Sequence, residues 1–137
     1  MASFNKFENF LEDLVTKVHN LHSDTLEVYL SNTAPDAAAD EVKADLAEIS
    51  TGNGYTGPVD VQNAVSRSGG TTSVTAVDVV ITASGAVGPF RYVVLQNTTP
   101  TSPLDPLIGW WDYASSISLA NGETFTVDFG ASISTFV

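Results

Sequence analysis

The apolar residues of this chain change their spacing once, near residue 24, and that change limits the folds open to it. Before this point six apolar residues, from Phe4 to Leu21, recur at intervals of 3, 4, 3, 4 and 3. Such spacing is typical of one face of an α-helix. After it, Leu26, Val28 and Leu30 alternate with Glu, Tyr and Ser, which is the period of a half-buried strand. The pattern predicts one N-terminal helix followed by β structure.

The predicted amphipathic helix covers about residues 4–20, and Phe10 and Val15 widen its apolar stripe. Ser3 can accept a hydrogen bond from the first helical turn. The same spacing occurs in coiled coils, but here it is shorter than the three to four heptads that a coiled coil requires. We therefore expect the stripe to pack against the protein's own sheet.

An acidic segment follows the first strand. Ten of the sixteen acidic residues lie in the first fifty positions, and the stretch 33–50 is rich in Ala and Asp. It predicts a short helix near 38–48, or alternatively an ordered loop. Its acids can at most bind calcium weakly, because the loop pattern of a calcium-binding hand is missing, and we expect a solvated face. These acids are Asp36, Asp40, Glu41, Asp45 and Glu48.

From Thr51 onward the chain is rich in Gly, Ser, Thr and Val, with turn signals between short apolar or alternating runs. Together with Leu26–Leu30, eight strands are predicted, enough for two packed sheets. We expect a mainly β fold, a jelly-roll-like or immunoglobulin-like β-sandwich with an N-terminal helix, as a single domain over residues 1–137. The other strands are placed near Val59–Arg67, Ser73–Thr82, Phe90–Gln96, Leu107–Tyr113, Ser116–Leu119, Thr124–Phe129 and Ile133–Val137.

Three stretches within this region carry more specific predictions. The run from Val93 to Leu95 indicates a strand that is buried on both faces, whereas Phe125, Val127 and Phe129 alternate with polar residues and indicate burial on one face. The segment Thr98–Pro106 contains three prolines, which cannot donate ladder hydrogen bonds. We expect it to form an extended, protruding loop.

Composition excludes some classes of partner and favours others. The chain has 137 residues, 43% of them hydrophobic, and a formal charge of −11, so binding to nucleic acid or to an anionic membrane is disfavoured. There is no cysteine for a disulfide, a thiolate metal site or a nucleophile. We also find no secretion signal and no apolar run long enough to span a bilayer. A soluble protein made in the cytoplasm is expected.

The residues that carry chemistry are few, and we predict no catalytic residue, no cofactor and no metal site. His19 and His22 are three residues apart, but no third ligand is implied, so solvated or helix-capping roles are favoured. The stretch Gly52–Gly57 satisfies the letters of a dinucleotide-binding glycine motif. It runs into Pro58 and a strand instead of opening a helix, so it is interpreted as a turn.

The aromatic residues near Trp110 give the best candidate contact surface. Trp110 and Trp111 are adjacent, and neighbouring strand residues point to opposite faces, so we expect one in the core and one at an interface or rim. Tyr113 joins this cluster and opens the possibility of stacking on a sugar. The candidate interface residues are Trp110, Trp111, Tyr113, Pro103 and Phe136.

Four segments of the chain occur in a distinctive order: SFNKFENFLEDLVTKVHNLHSDTLEVYLSNTAP, AEISTGNGYTG, ASGAVGPFRYVVLQNTT and LIGWWDYASSISLANGETFTVDF. In this order they resemble a family of small structural proteins encoded in the virion gene modules of tailed bacteriophages. The resemblance covers nearly the whole chain and is most specific at Gly52–Gly57, Gly88–Tyr92 and Leu107–Tyr113. It implies a component of the virion, foremost a capsid decoration (cement) protein on the outside of the head.

This resemblance also implies the partners. The major capsid protein or another virion protein is the expected partner, and a homo-oligomer, with a trimer favoured, is the expected state. A neck or tail position stays open, as does a carbohydrate- or receptor-binding module that uses Trp110 or Trp111 with Tyr113. An enzyme with an unrecognised carboxylate site is the third class, disfavoured because no catalytic motif was found.

Overall fold

In a computed structural model that describes residues 2–137, the chain is mainly β, with antiparallel sheets and one helix near the N-terminus. The predicted β-sandwich with an N-terminal helix is confirmed. The elements in chain order are β1 (Phe4–Lys6), α1 (Glu8–Val15), β2 (Leu26–Ser31), a 3₁₀ turn (Lys43–Asp45), β3 (Val59–Asp60), β4 (Ala64–Ser68), β5 (Thr71–Thr75), β6 (Val79–Thr82), β7 (Val87–Asn97), β8 (Leu107–Leu119), β9 (Thr124–Val127) and β10 (Ser134–Phe136).

The strands form three antiparallel sheets. A five-stranded sheet, which we call the large sheet, has the order β1-β8-β7-β2-β3. The smaller sheets have the orders β10-β5-β4 and β6-β9. The main hydrophobic cluster draws side chains from all three, including Trp111 from the large sheet, Val74 from β5 and Val127 from β9. The two small sheets therefore cover one face of the large sheet.

The large sheet is also covered on its second face. Val93 and Leu95 belong to the main cluster, while Val94 between them belongs to a separate cluster with Tyr29 and Leu46. The prediction of a strand buried on both faces is confirmed. Leu46 comes from the acidic segment, which lies over this face and keeps most of its carboxylates in solvent.

The N-terminal helix is shorter than predicted. It spans Glu8–Val15, and the residues Phe4–Lys6 instead pair with β8 in the large sheet. Phe7 is the N-cap residue, so the predicted cap at Ser3 is wrong. The periodicity of the sequence could not show that the helix begins later. Phe4 fits the helical spacing of apolar residues even though it pairs with a distant strand. Within residues 2–137 no helix is long and apolar enough to cross a membrane.

Several other predicted boundaries are corrected. The helix expected near 38–48 is a set of turns with the 3₁₀ turn, so the loop alternative is closer. Gln62, with a positive φ of 51°, lies in the break between β3 and β4, within the predicted strand Val59–Arg67. The two strands predicted on either side of Ala114 are one strand, β8, since a bulge at that residue (φ 71°) interrupts pairing without ending the strand. Ser73–Thr82 is likewise divided between β5 and β6.

Candidate functional site

The segment Thr98–Pro106, which we call the proline loop, is held at both ends. Thr98 N donates to Thr25 O (3.0 Å), and Asn97 N donates to Pro106 O (3.0 Å) across the neck of the loop. The acidic segment supports its far side, because Lys43 N donates to Asp105 O (3.0 Å). The irregular connection expected here is therefore well anchored.

The tip of this loop presents an aliphatic side chain to solvent. Leu104 is 63% exposed, and Pro103 beside it is half-buried. Between the loop and the acidic segment lies an open depression of about 400 Å³ lined by Val42, Ala44 and Leu104, with Lys43 and Asp105. Lys43 is not a free cation, since its Nζ pairs with Glu48 Oε1 at 2.8 Å. The depression is lined mainly by apolar side chains. Leu104 is the exposed apolar residue of the loop, whose other exposed residues are Thr99, Thr101 and Ser102.

A buried polar cluster underlies the loop. Asn97 Nδ2 donates to His19 Nδ1 (2.9 Å) and to Asp24 Oδ2 (2.7 Å), while Asn97 Oδ1 accepts from Thr99 N (3.1 Å). These contacts use both amide hydrogens of Asn97, whose side chain is fully buried. The Asn97-Thr98-Thr99 sequence is therefore a structural junction in the folded protein and is not accessible as a glycosylation acceptor.

His19 is neutral in this cluster. Because its Nδ1 accepts from Asn97, its proton lies on Nε2, which has no hydrogen-bond partner among residues 2–137 and lies 4.0 Å from Asp13 Oδ2. Burial lowers the pKa of His19 to about 4, against the attraction of Asp24. Burial also raises the pKa of Asp13, whose carboxylate accepts from Asn9 Nδ2 (2.9 Å). His19 thus has a buried structural role in place of the solvated or capping role expected.

A second open surface lies beside the end of α1. An apolar cleft of about 370 Å³ separates the helix end and the following turn from one face of the β10-β5-β4 sheet. We call it the helix cleft. The residues that line it are Leu14, Lys17, His19, Asn20, Leu21, His22, Val65, Thr72, Val74 and Phe136. Phe136, a predicted interface residue, is half-buried in its wall.

The glycine-rich stretch Gly52–Gly57 forms the predicted turn. Gly52 and Tyr55 exchange two backbone hydrogen bonds, of 2.7 and 3.1 Å, so these N–H groups are not available to cradle a phosphate. A Cβ at Gly54, which has a φ of +97°, would overlap the carbonyl oxygen of Thr82. Tyr55 OH donates to Glu48 Oε2 (2.5 Å) and accepts from Leu30 N (3.0 Å). The glycines allow this turn to lie directly on the turn that follows β6.

The carboxylates of the acidic segment mainly order its own turns. Asp36 Oδ1 accepts from Ala38 N (3.0 Å) and Ala39 N (3.1 Å), and Asp40 Oδ2 accepts from Asp36 N (2.8 Å). Asp45 Oδ2 accepts in the same way from Glu41 N (3.0 Å). In the part of the chain that the structure describes, no group of three or more His, Cys, Asp or Glu side chains is placed to hold a metal ion.

The predicted aromatic surface is divided between two faces. Trp111 is only 4% exposed and lies in the main core, with ring centroids 5.1 Å from Phe4 and 5.3 Å from Phe129. This corrects its assignment as an interface residue, because its side chain is covered by β1 and by residues after β9. Trp110 is half-buried on the opposite face, 4.7 Å from the ring of Phe7.

Tyr113 is half-buried against the main core, 5.1 Å from the Phe125 ring. Trp110 and Tyr113 therefore contact opposite faces of the large sheet and do not form one platform for a sugar. Of the residues predicted for the interface, the structure places Pro103 in the proline loop and Phe136 in the helix cleft, far apart in sequence and in different elements.

The sequence analysis did not identify the exposed apolar residues, and three of them lie on or beside the surfaces described above. Leu11 and Val15 belong to the predicted core stripe of the helix, yet they are 46% and 82% exposed. Leu104 was included only as part of the proline loop. No signal in a single sequence distinguishes an apolar residue that faces the core from one on the outer side of a short helix.

Searches of family models, curated proteins and solved structures returned no match to this chain.

Proposed function

We propose that this protein is a structural component of a tailed-bacteriophage virion, and specifically a capsid decoration protein that binds the outer surface of the head. The major capsid protein is its proposed partner. The proposal begins from the resemblance of its ordered segments to small virion proteins. The feature that supports a binding role most directly is the exposed Leu104 at the tip of the anchored proline loop.

An anchored loop with an exposed aliphatic tip is suited to docking. Because the backbone hydrogen bonds at both ends of the loop already order it, little conformational entropy is lost when the tip is covered. Full burial of an exposed leucine contributes about 1.5–3 kcal/mol. A capsid repeats the same subunit many times, so the same contact is offered at every equivalent site.

The position of the acidic segment constrains the contact. Val42 and Ala44 lie beside Leu104, so a capsid subunit that covers the tip also approaches Glu41 and Asp45. Exposed charges of this kind are largely screened beyond about 8 Å at physiological salt. The apolar surface of the loop and the depression therefore dominates the proposed contact, and the acids form its rim.

Co-sedimentation with purified capsids that lack the protein tests this proposal. We expect saturable binding of the wild type and about ten- to a hundredfold weaker binding of Leu104→Ser, from the burial energy of one leucine. Val80→Ser is the matched control, because Val80 is 59% exposed on β6, away from the loop. Both variants should keep the wild-type circular dichroism spectrum.

Other outcomes decide between locations. Binding to purified tails or necks and not to heads would overturn the decoration role and place the protein elsewhere in the virion. Equal losses in Leu104→Ser and Val80→Ser would reject the proline loop as the contact. Binding to a glycan array that is abolished by Trp110→Ala would favour the carbohydrate-binding module.

A further inference from the structure

The outer face of α1 combines acidic and aliphatic side chains in one row. Glu8, Leu11, Glu12 and Val15 follow the helical spacing i, i+3, i+4 and i+7, and all four are exposed. No ion pair is formed by Glu8 or Glu12 with any residue between 2 and 137. This acidic-aliphatic row has no partner in the monomer.

The helix cleft is mainly apolar, and the one formally charged residue in its lining, Lys17, is basic. Its lining includes Lys17 and His22 but no carboxylate, although the chain has sixteen acidic residues and only five basic ones. Val65 and Val74 form part of its floor as direct cross-strand neighbours. Phe136 adds an aromatic side chain to the wall.

Arg67 extends the basic rim of this cleft. It follows Val65 by two residues on β4, so its side chain leaves the same face of the sheet, and it lies directly opposite Thr72. Neither Lys17 nor Arg67 pairs with an acid within 4.0 Å in the described chain, whereas Lys43 and Arg91 both do. Two of the five basic residues are therefore left at the edge of one apolar cleft.

We propose that the helix cleft receives the outer face of α1 from a second copy of this chain. Leu11 and Val15 would fill the apolar floor, and Glu8 and Glu12 would face Lys17 and Arg67. Each copy carries both surfaces, and they adjoin because Leu14 of the same helix lines the cleft. The contact can therefore close as a reciprocal pair or as a ring. This inference does not rest on the proposed virion role, and it is tested without capsids.

Molar mass from sedimentation equilibrium, over about 1 to 100 µM protein at about 0.15 M salt, is the first measurement. We expect a concentration-dependent dimer or trimer for the wild type. Leu11→Ser with Val15→Ser should raise the dissociation constant at least about tenfold. Val77→Ser with Val80→Ser is the matched control, since both residues are exposed valines outside the helix and the cleft, and it should associate as the wild type does.

Charge exchange tests whether the two surfaces meet. One variant carries Glu8→Lys and Glu12→Lys, and the other carries Lys17→Glu and Arg67→Glu. Each alone should be monomeric, because like charges then face each other, while an equimolar mixture should associate, because each helix finds an opposite cleft.

A monomeric wild type at about 100 µM would overturn the inference. So would association that survives both charge variants, or a mixture that stays monomeric while both variants keep the wild-type melting temperature.

Discussion

A buried hydrogen bond and a buried indole ring hold distant parts of the chain together. His19 and Asn97 join the turn after α1 to the end of β7, and Trp111 fills the core between the sheets. These roles depend on contacts between residues far apart in sequence. His19 and Asn97 are separated by 78 positions, so their pairing left no local pattern to detect.

The buried His19 should make the protein sensitive to mild acid. Its pKa is about 4 in the folded protein, against an ordinary value of 6.5, so between these values the unfolded chain binds the proton more strongly. The contribution of neutral His19 to the free energy of unfolding is therefore complete above about pH 6.5, and it is lost as the pH falls toward 4. We expect the free energy of unfolding to fall by about 1 kcal/mol from about pH 7 to about pH 5.5.

Urea denaturation at several pH values checks this, with His19→Gln as the test variant and His22→Gln as the control at an exposed histidine. His19→Gln should be less stable at pH 7 but should show a flatter pH profile. The raised pKa of Asp13 acts with the opposite sign at lower pH, so the comparison stays above about pH 5.5. A profile that is equally steep in His19→Gln would show that another group is responsible.

The two tryptophans should differ in their effect on stability. Trp111→Ala removes a core ring that contacts Phe4 and Phe129, and we expect it to lower the free energy of unfolding by about 3–5 kcal/mol. Trp110→Ala should cost less, because that ring is half-exposed. Denaturant titration measures both. Equal losses would contradict the assignment of Trp111 as the core tryptophan.

At the scale of elements, the sequence correctly predicted which faces of two individual strands are buried. The burial of Val93–Leu95 on both faces and of Phe125 and Val127 on one face could be predicted, because each follows from side-chain alternation. The bounds of α1 could not be predicted, because Phe4 pairs with Trp111 of β8 and therefore belongs to the large sheet. The open side of α1 was also hidden, as Leu11 and Val15 have the helical spacing of core residues but no sheet to cover them.

The glycine-rich turn gives a test at this scale. Gly54→Ala should lower the free energy of unfolding by at least about 2 kcal/mol, because the added methyl group meets the backbone of Thr82 and the positive φ is strained. Gly52→Ala is the control: its φ is also positive, at +128°, but a Cβ there meets nothing within 4 Å. We expect it to cost only the backbone strain, about 1–3 kcal/mol, and less than Gly54→Ala. Thermal or denaturant unfolding of both variants makes the comparison, and equal costs would argue against the close approach of the two turns.

At the scale of the whole molecule, a strongly acidic protein presents two open depressions lined mainly by apolar residues, one beside the proline loop and one at the helix cleft. The three prolines correctly predicted an irregular connection, but the loop is not extended, because Thr101 and Leu104 bridge across a tight turn. Its contact with the acidic segment could not be predicted, because that contact joins residues about sixty positions apart, such as Lys43 and Asp105. The acidic segment was expected to face solvent, and Asp36, Glu41 and Asp45 do so. Glu48 does not, because its carboxylate pairs with Lys43 and accepts from Tyr55.

Charge should therefore have little effect on capsid attachment. We expect the fraction bound to capsids to change little between about 0.05 M and about 0.5 M salt, because exposed ion pairs contribute only about 0–1 kcal/mol each. The combined variant Asp36→Asn, Asp40→Asn and Glu41→Gln should bind nearly as the wild type does, provided that its turns stay intact by circular dichroism. Release by moderate salt alone would show that charge holds the contact.

The central claim is that this β-sandwich decorates a phage head, and its position in an imaged particle tests that claim most directly. Under the proposed function, electron cryomicroscopy of the virion should show copies of this protein on the outer surface of the head, with the proline loop and Leu104 turned toward the capsid lattice. Density for the protein only in the neck or tail, no density in the particle, or copies on the head whose proline loop faces away from the lattice would contradict the account.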